Sequence, residues 1–177
     1  MSPWLLRICQ RLAGEGFAAI APDVFHHFGG SDPDKLPSQF MNLRSKDALD
    51  DVRQCTAELR RMGAPKVGIT GFCMGGRITY EAATKADDVD AAAGFYGAQI
   101  GSMLSEPRCP LHLFFGGTDD YILPDEIAAV EQYHRGNVTV YPQAGHGFMR
   151  DGSDAYDEAA ASDAWPRLLA FFREHLR

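Results

Sequence analysis

The sequence lacks a basic stretch. Lys and Arg number 17 against 24 Asp and Glu, a formal net charge of −7. Nucleic acids and anionic membrane surfaces draw proteins through clustered Lys and Arg, so this balance points away from both. Nor does any apolar run approach the roughly 20 residues of a membrane span. No secretory leader opens the chain, because the apolar stretch 4–8 is too short and too interrupted. Cysteine is sparse. Cys9, Cys55, Cys73 and Cys109 form no CxxC pair and no Cys/His cluster at zinc spacing. In a chain without a leader they read as reduced thiols, consistent with a cytoplasmic protein. Cys9, Cys55 and Cys109 read as small hydrophobes. Repeats, low-complexity tracts and linkers are also missing, which leaves a single domain over 1–177, long enough for a real core.

Against these absences stands a regular alternation of apolar runs and amphipathic stretches. Residues 4–14 read as an amphipathic helix ending at a glycine, and 17–22 as a short strand. The Gly-, Asp- and Pro-rich stretch 26–37 reads as a loop. Residues 45–62 carry apolar side chains at helical spacing. Strands are expected at 66–70, 91–95, 111–115 and 138–141, and helices at 77–84, 126–133 and 154–176, the last with Pro166 inside it. Strand–helix alternation of this kind predicts a mostly parallel sheet of about five strands with helices on both faces.

The run Gly71-Phe72-Cys73-Met74-Gly75-Gly76 lies between the strand at 66–70 and the helix at 77–84. A reactive side chain flanked by glycines between a strand and a helix describes a nucleophile elbow, here with a thiol. The turn is sharp and strained, and side chains at the glycine positions would clash with the strand and helix. It also sets Cys73 at a helix N-terminus, whose positive end favours thiolate. Two later loops add partners. Gly116-Gly117-Thr118-Asp119-Asp120 follows the strand at 111–115, and Gly145-His146-Gly147-Phe148 follows that at 138–141. All three lie past strand C-terminal ends, where open α/β sheets bind ligands. The order nucleophile, acid, histidine is that of α/β-hydrolases. His146 is the expected base, and an aspartate its orienter. Asp119 fits the Gly-Gly-x-Asp register, and Asp120 competes for the role. His26 and His27 are adjacent but lack a third ligand in sequence, so they read as loop residues. No metal and no cofactor are expected.

On these residues, together with Ala21-Pro22-Asp23-Val24-Phe25, Phe95-Tyr96-Gly97 and the tail running from Tyr156-Asp157-Glu158 to Phe171-Phe172, the chain resembles the dienelactone hydrolase family of α/β-hydrolases over nearly its whole length. The resemblance implies a three-layer α/β-hydrolase sandwich and hydrolysis of small carboxylic esters or lactones through a thioester acyl-enzyme. It assigns catalysis to Cys73, Asp119 and His146. The Met74 N–H becomes an oxyanion donor, Arg150 a ligand for a substrate carboxylate, and Tyr96 a candidate for the pocket wall. Members of the family usually carry two or three further strands and a His-Glu-x-x-Gly type segment ahead of a helix like 4–14. That segment supplies a second oxyanion N–H and a glutamate that activates the cysteine. Without it the site loses about 2.7–4 kcal/mol of transition-state stabilisation. The missing strand would also leave inner sheet edges unpaired, so a closed five-strand sheet or a homo-oligomer is expected. The rival readings are a truncated, weakly active member that serves as an assembling protein, and a redox thiol.

Overall fold

A computed structural model describes residues 2–30, 32 and 34–177, and of Leu36 and Pro37 the backbone alone. It divides into two compact units, Met1–Val67 and Gly68–Arg177. Among the described residues no helix is long and apolar enough to cross a membrane.

Among its described residues the first unit is helical. Helix α1 spans Pro3–Gly14 and is opened by Ser2, whose hydroxyl accepts from the Leu5 N–H at 3.3 Å. A proline in its first turn loses no hydrogen bond there. Ile8 and Leu12, one turn apart, are its buried residues. Residues 17–22, expected to form a strand, make no ladder. A strand exists only with a partner, and this unit holds none. The Phe17 N–H instead turns back to Leu12 O, finishing α1. Within the expected loop, His26–Phe28 make one 3₁₀ turn, and at its end Leu36–Asn42 form the short helix α2, most of it in residues given no assignment from sequence. Helix α3, Ser45–Arg61, buries Ala48, Leu49 and Val52 together with one acid, Asp51.

The second unit is a four-stranded parallel sheet in the order β1-β2-β3-β4: Gly68–Phe72, Ala91–Phe95, Leu111–Gly116 and Val138–Tyr141. The sheet thus has four strands among the described residues, where about five were expected, and 17–22 does not close it. Strand β1 starts and ends two residues later than expected, because its register with β2 runs from Gly68↔Ala91 to Phe72↔Phe95. Gly71, read as part of the turn, is still in the strand.

Alternation along these strands sorts the faces. Gly71 and Gly94 face helix α4, Met74–Lys85: a Cβ on Gly71 would meet Thr79 Oγ1 at 2.7 Å, and one on Gly94 would meet Gly76 O at 3.1 Å. Gly68 faces the other way, against Phe172 of α6 and Leu176 just beyond it, α6 being Glu158–His175. His112 of β3 also meets α6, at Phe171. Helices therefore cover both faces of this sheet. On the α6 face Phe72, Phe95 and Phe114 stack across three strands, with centroids 4.8 and 4.4 Å apart. Phe95 and Phe114 are fully buried. Helix α6 begins four residues later than expected, at a cap where Asp157 accepts from the Ala160 N–H at 2.9 Å. Helix α5, Pro124–Tyr133, follows the loop after β3.

Candidate active site

Strand β1 ends one residue before Cys73, and α4 begins one residue after it. Cys73 makes the connection at φ 56°, ψ −119°. That region costs an L-residue on the order of 1–3 kcal/mol and persists only where its surroundings force it. Here they do. The Cys73 N–H donates to Phe95 O at 3.0 Å, and its C=O accepts from Gly76 and Arg77 at 2.9 and 3.2 Å. The first turn of α4 lies directly on β2: a Cβ at Gly76 would collide with Phe95 O and stand 3.0 Å from the Gly97 N–H. Gly71 is equally confined by Gly75 O, whereas Gly75 itself faces open space. Two of the three elbow glycines thus have the steric reason expected of them. Nothing in the structure requires the third.

The loops after β3 and β4 are laced together. Gly117 N–H donates to Tyr141 O at 2.8 Å, Thr118 N–H to Ala144 O at 3.0 Å, and the Thr118 hydroxyl to Gln143 O at 3.2 Å. A Cβ at Gly116 would stand 2.8 Å from Gly145 O, so the Gly116-Gly117 pair permits the approach. This lacing brings Asp119 to His146, with Oδ2 and Nδ1 2.8 Å apart. The other oxygen of Asp119 accepts from the Tyr121 and Ile122 N–H groups at 2.8 and 3.1 Å. Asp119 is buried and Asp120 exposed, so Asp119 is the partner of the histidine.

With Nδ1 on Asp119, Nε2 is left free for the Cys73 thiol, and the thiol and imidazole act on one another's protonation. Desolvation pushes the thiol up, but the hydrogen bonding and charge of His146, with the Met74 N–H, hold it below its ordinary value. Desolvation likewise depresses His146. The hydrogen bonds to Asp119 and Cys73 outweigh it and raise the imidazole to about 9. The opposed shifts each favour the charged form, thiolate beside imidazolium. Cys73 is exposed, open to a ligand.

The remaining expected site residues divide. Met74 opens α4, and its N–H points at the Cys73 sulfur. Tyr96 is fully buried at φ 37°, with its ring 5.0 Å from His146 and 5.1 Å from Phe148. It backs the histidine. Desolvation, then the nearby Cys73 charge, pushes its phenol far up, so it stays neutral. Arg150 is exposed. Tyr121 went unrecognised in the sequence. It is 75% exposed, yet its ring lies 4.8 Å from His146. Its place two residues beyond Asp119 was the available signal.

The sequence profile of the dienelactone hydrolase family matches residues 4–176. A candidate carboxymethylenebutenolidase of Salmonella typhimurium is 33% identical, over 95% of this chain and 71% of its own length. The usf protein of Aquifex pyrophilus is 33% identical over 96% of this chain and 80% of its own. Among solved structures, a candidate dienelactone hydrolase of Klebsiella pneumoniae superimposes with a TM-score of 0.83 at 29% identity. That match covers 98% of this chain and 82% of the other.

Proposed function

The chain belongs to the dienelactone hydrolase family, and from that premise we propose that it hydrolyses small carboxylic esters or lactones with Cys73 as nucleophile, His146 as acid–base and Asp119 as orienter. The observation that carries this reading is the Asp119–His146 pair at 2.8 Å beside the strained elbow that presents Cys73, whose thiol is held below its ordinary value by that histidine.

In the resting pair the proton sits on His146 and the charge on Cys73. The thiolate adds to the substrate carbonyl carbon, and the carbonyl π electrons move to oxygen. The Met74 N–H, at the positive end of α4, is placed to meet that oxyanion. The tetrahedral adduct collapses, the C–O bond to the leaving oxygen breaks, and Nε2–H of His146 protonates the alkoxide or enolate. A thioester remains on Cys73. Neutral His146 then takes a proton from water, the hydroxide adds to the thioester carbonyl, and thiolate leaves. The proton stays on His146, and the resting pair is restored. With a lactone the leaving oxygen stays tethered, so the product is one hydroxy acid, or its keto form where the alcohol is an enol.

Thiolate is a better leaving group than an alkoxide, so the first adduct reverts unless the alcohol also leaves well. Enol-lactones and aryl esters satisfy that condition. The relatives named for carboxymethylenebutenolide, an enol-lactone bearing a carboxylate, fit this restriction. Arg150 supplies a planar two-pronged donor for such a carboxylate. The test compares p-nitrophenyl acetate and a carboxylate-bearing enol-lactone with wild type and Cys73→Ala. Turnover should vanish in the variant. Turnover of both compounds undiminished by Cys73→Ala refutes the assignment.

A further inference from the structure

In the unit Met1–Val67, two histidines and one acid converge on a point that the proposed chemistry does not use. Adjacent residues on a 3₁₀ helix diverge by about 120°. Yet His26 and His27, neighbours on the turn His26–Phe28, both swing toward Asp51 of α3. His26 Nε2 stands 3.0 Å from one oxygen of Asp51, and His27 Nε2 stands 3.0 Å from the other. The two rings lie 3.8 Å apart at 37°. Asp51 is 5% exposed, on a helix whose other buried residues are Ala48, Leu49, Val52 and Thr56.

We propose that His26, His27 and Asp51 bind a divalent transition-metal ion of the zinc class. Two imidazole nitrogens and a carboxylate oxygen form a donor set suited to Zn²⁺, and also to Ni²⁺ and Cu²⁺. One ligand atom from each residue lies within 4.8 Å of the others. Metal bonds of about 2.0–2.1 Å in a tetrahedron put donors about 3.3 Å apart; each histidine stands 3.0 Å from its own Asp51 oxygen, and the three ligand atoms, within 4.8 Å of one another, draw together by about an ångström through side-chain rotation. Without metal, each imidazole offers its Nε2–H to the carboxylate. On binding, that proton moves to Nδ1, and the freed Nε2 lone pair turns to the ion. The His26 side chain is 57% exposed and the His27 side chain 28%, so an ion can enter from solvent and keep water as a fourth ligand. The nearby acid Asp47 is already held by Arg44 in a two-pronged pair at 2.7 and 2.9 Å. That leaves Asp51 as the acid for the two rings. Such a site would tie the turn at 26–28 to α3, joining His27 to Asp51 at a sequence separation of 24. In sequence the two histidines lacked a third ligand. The fold supplies one from α3.

The test is calorimetric titration of ZnSO₄ into tag-free, chelator-stripped protein carrying Cys73→Ala, which removes the one exposed thiol as a competing ligand. One equivalent should bind. His26→Ala and His27→Ala should each weaken binding at least tenfold, since even loss of a supporting partner of a ligand costs about 10–100-fold. His26 is the more exposed of the two, so its alanine variant tests the site without disturbing the helix. Asp51→Asn should abolish stoichiometric binding. The proposal falls if no equivalent binds, or if binding survives the double variant His26→Ala/His27→Ala unchanged. Neither result bears on the triad.

Discussion

Asp119→Asn should cost the site its ion pair while leaving its framework in place. The replacement amide keeps Oδ1 for the Tyr121 and Ile122 N–H groups, which now reach it at 2.8 and 3.1 Å. The atom facing His146 Nδ1 at 2.8 Å becomes an N–H₂. The negative partner of the imidazolium is gone. His146 sits at about 9 against an ordinary 6.5, with burial acting to lower it and the bonds to Asp119 and Cys73 raising it. At about 1.36 kcal/mol per pH unit the rise is worth on the order of 3 kcal/mol. The Asp119 hydrogen bond is the first of its upward causes, so its loss removes on the order of 1–2 kcal/mol and lowers the ion-pair equilibrium roughly tenfold. The assay is iodoacetamide alkylation of Cys73 from pH 5 to pH 10, read by intact mass. At neutral pH the variant should alkylate more slowly, by up to roughly tenfold, with its acid limb displaced upward. Above the ordinary thiol range both proteins are thiolate, so their rates should converge, which separates this effect from misfolding. Hydrolysis needs the imidazolium as well. The wild-type alkaline limb should therefore fall near pH 9, because His146 loses its proton as pH rises through that value. In the variant this limb should move toward neutrality. Matching limbs and rates within a factor of two or three would refute the role given to Asp119.

Two stability predictions come from the backbone around the site. Gly76→Ala forces a Cβ against Phe95 O and within 3.0 Å of the Gly97 N–H, both backbone atoms, and should cost about 1–3 kcal/mol by overpacking. Gly75→Ala meets nothing within 4 Å and, at a helical position, should be neutral or stabilising by up to about 1 kcal/mol. Urea midpoints check the pair, and equal losses at both positions would defeat the packing argument. Asp157→Ala removes the side-chain cap of α6, an acceptor at 2.9 Å from the Ala160 N–H, and should lower stability by about 1 kcal/mol. An unchanged urea midpoint would show that the cap contributes nothing.

What could be read from the chain depended on how local its cause was. Helices α1 and α3 follow from apolar spacing alone, and β2 and β4 from short apolar runs bounded by turn residues. The strand at 17–22 failed because strand formation is a property of a pair: its residues have the composition but no ladder partner in their unit. Gly71 failed in the opposite direction. Glycine signals a turn, yet here it sits inside β1 because Thr79 and Gly75 of α4 leave no room for a Cβ. The short helix α2 starts at the end of the stretch read as loop and runs through residues that carry no clear periodic signal.

The site shows the same division. Cys73, Asp119 and His146 were legible because each sits in a loop whose glycines mark a close approach, and a close approach leaves a trace in local sequence. The Gly-Gly-x-Asp register already favoured Asp119 over Asp120; its physical reason, the lacing of Gly117 and Thr118 to the next loop, is a contact between segments about 25 residues apart. Tyr121 and Asp51 left no trace at all. Tyr121 reads as a loop tyrosine until its ring is found 4.8 Å from His146. Asp51 reads as one more charge on a charged helix until its burial and its two histidines are seen together. Motifs therefore reveal residues whose own backbone is constrained. Side chains that act by reaching another segment become visible only when the fold joins the two segments. For that reason the candidate metal site was found in the structure, although two of its three ligands are adjacent in the sequence.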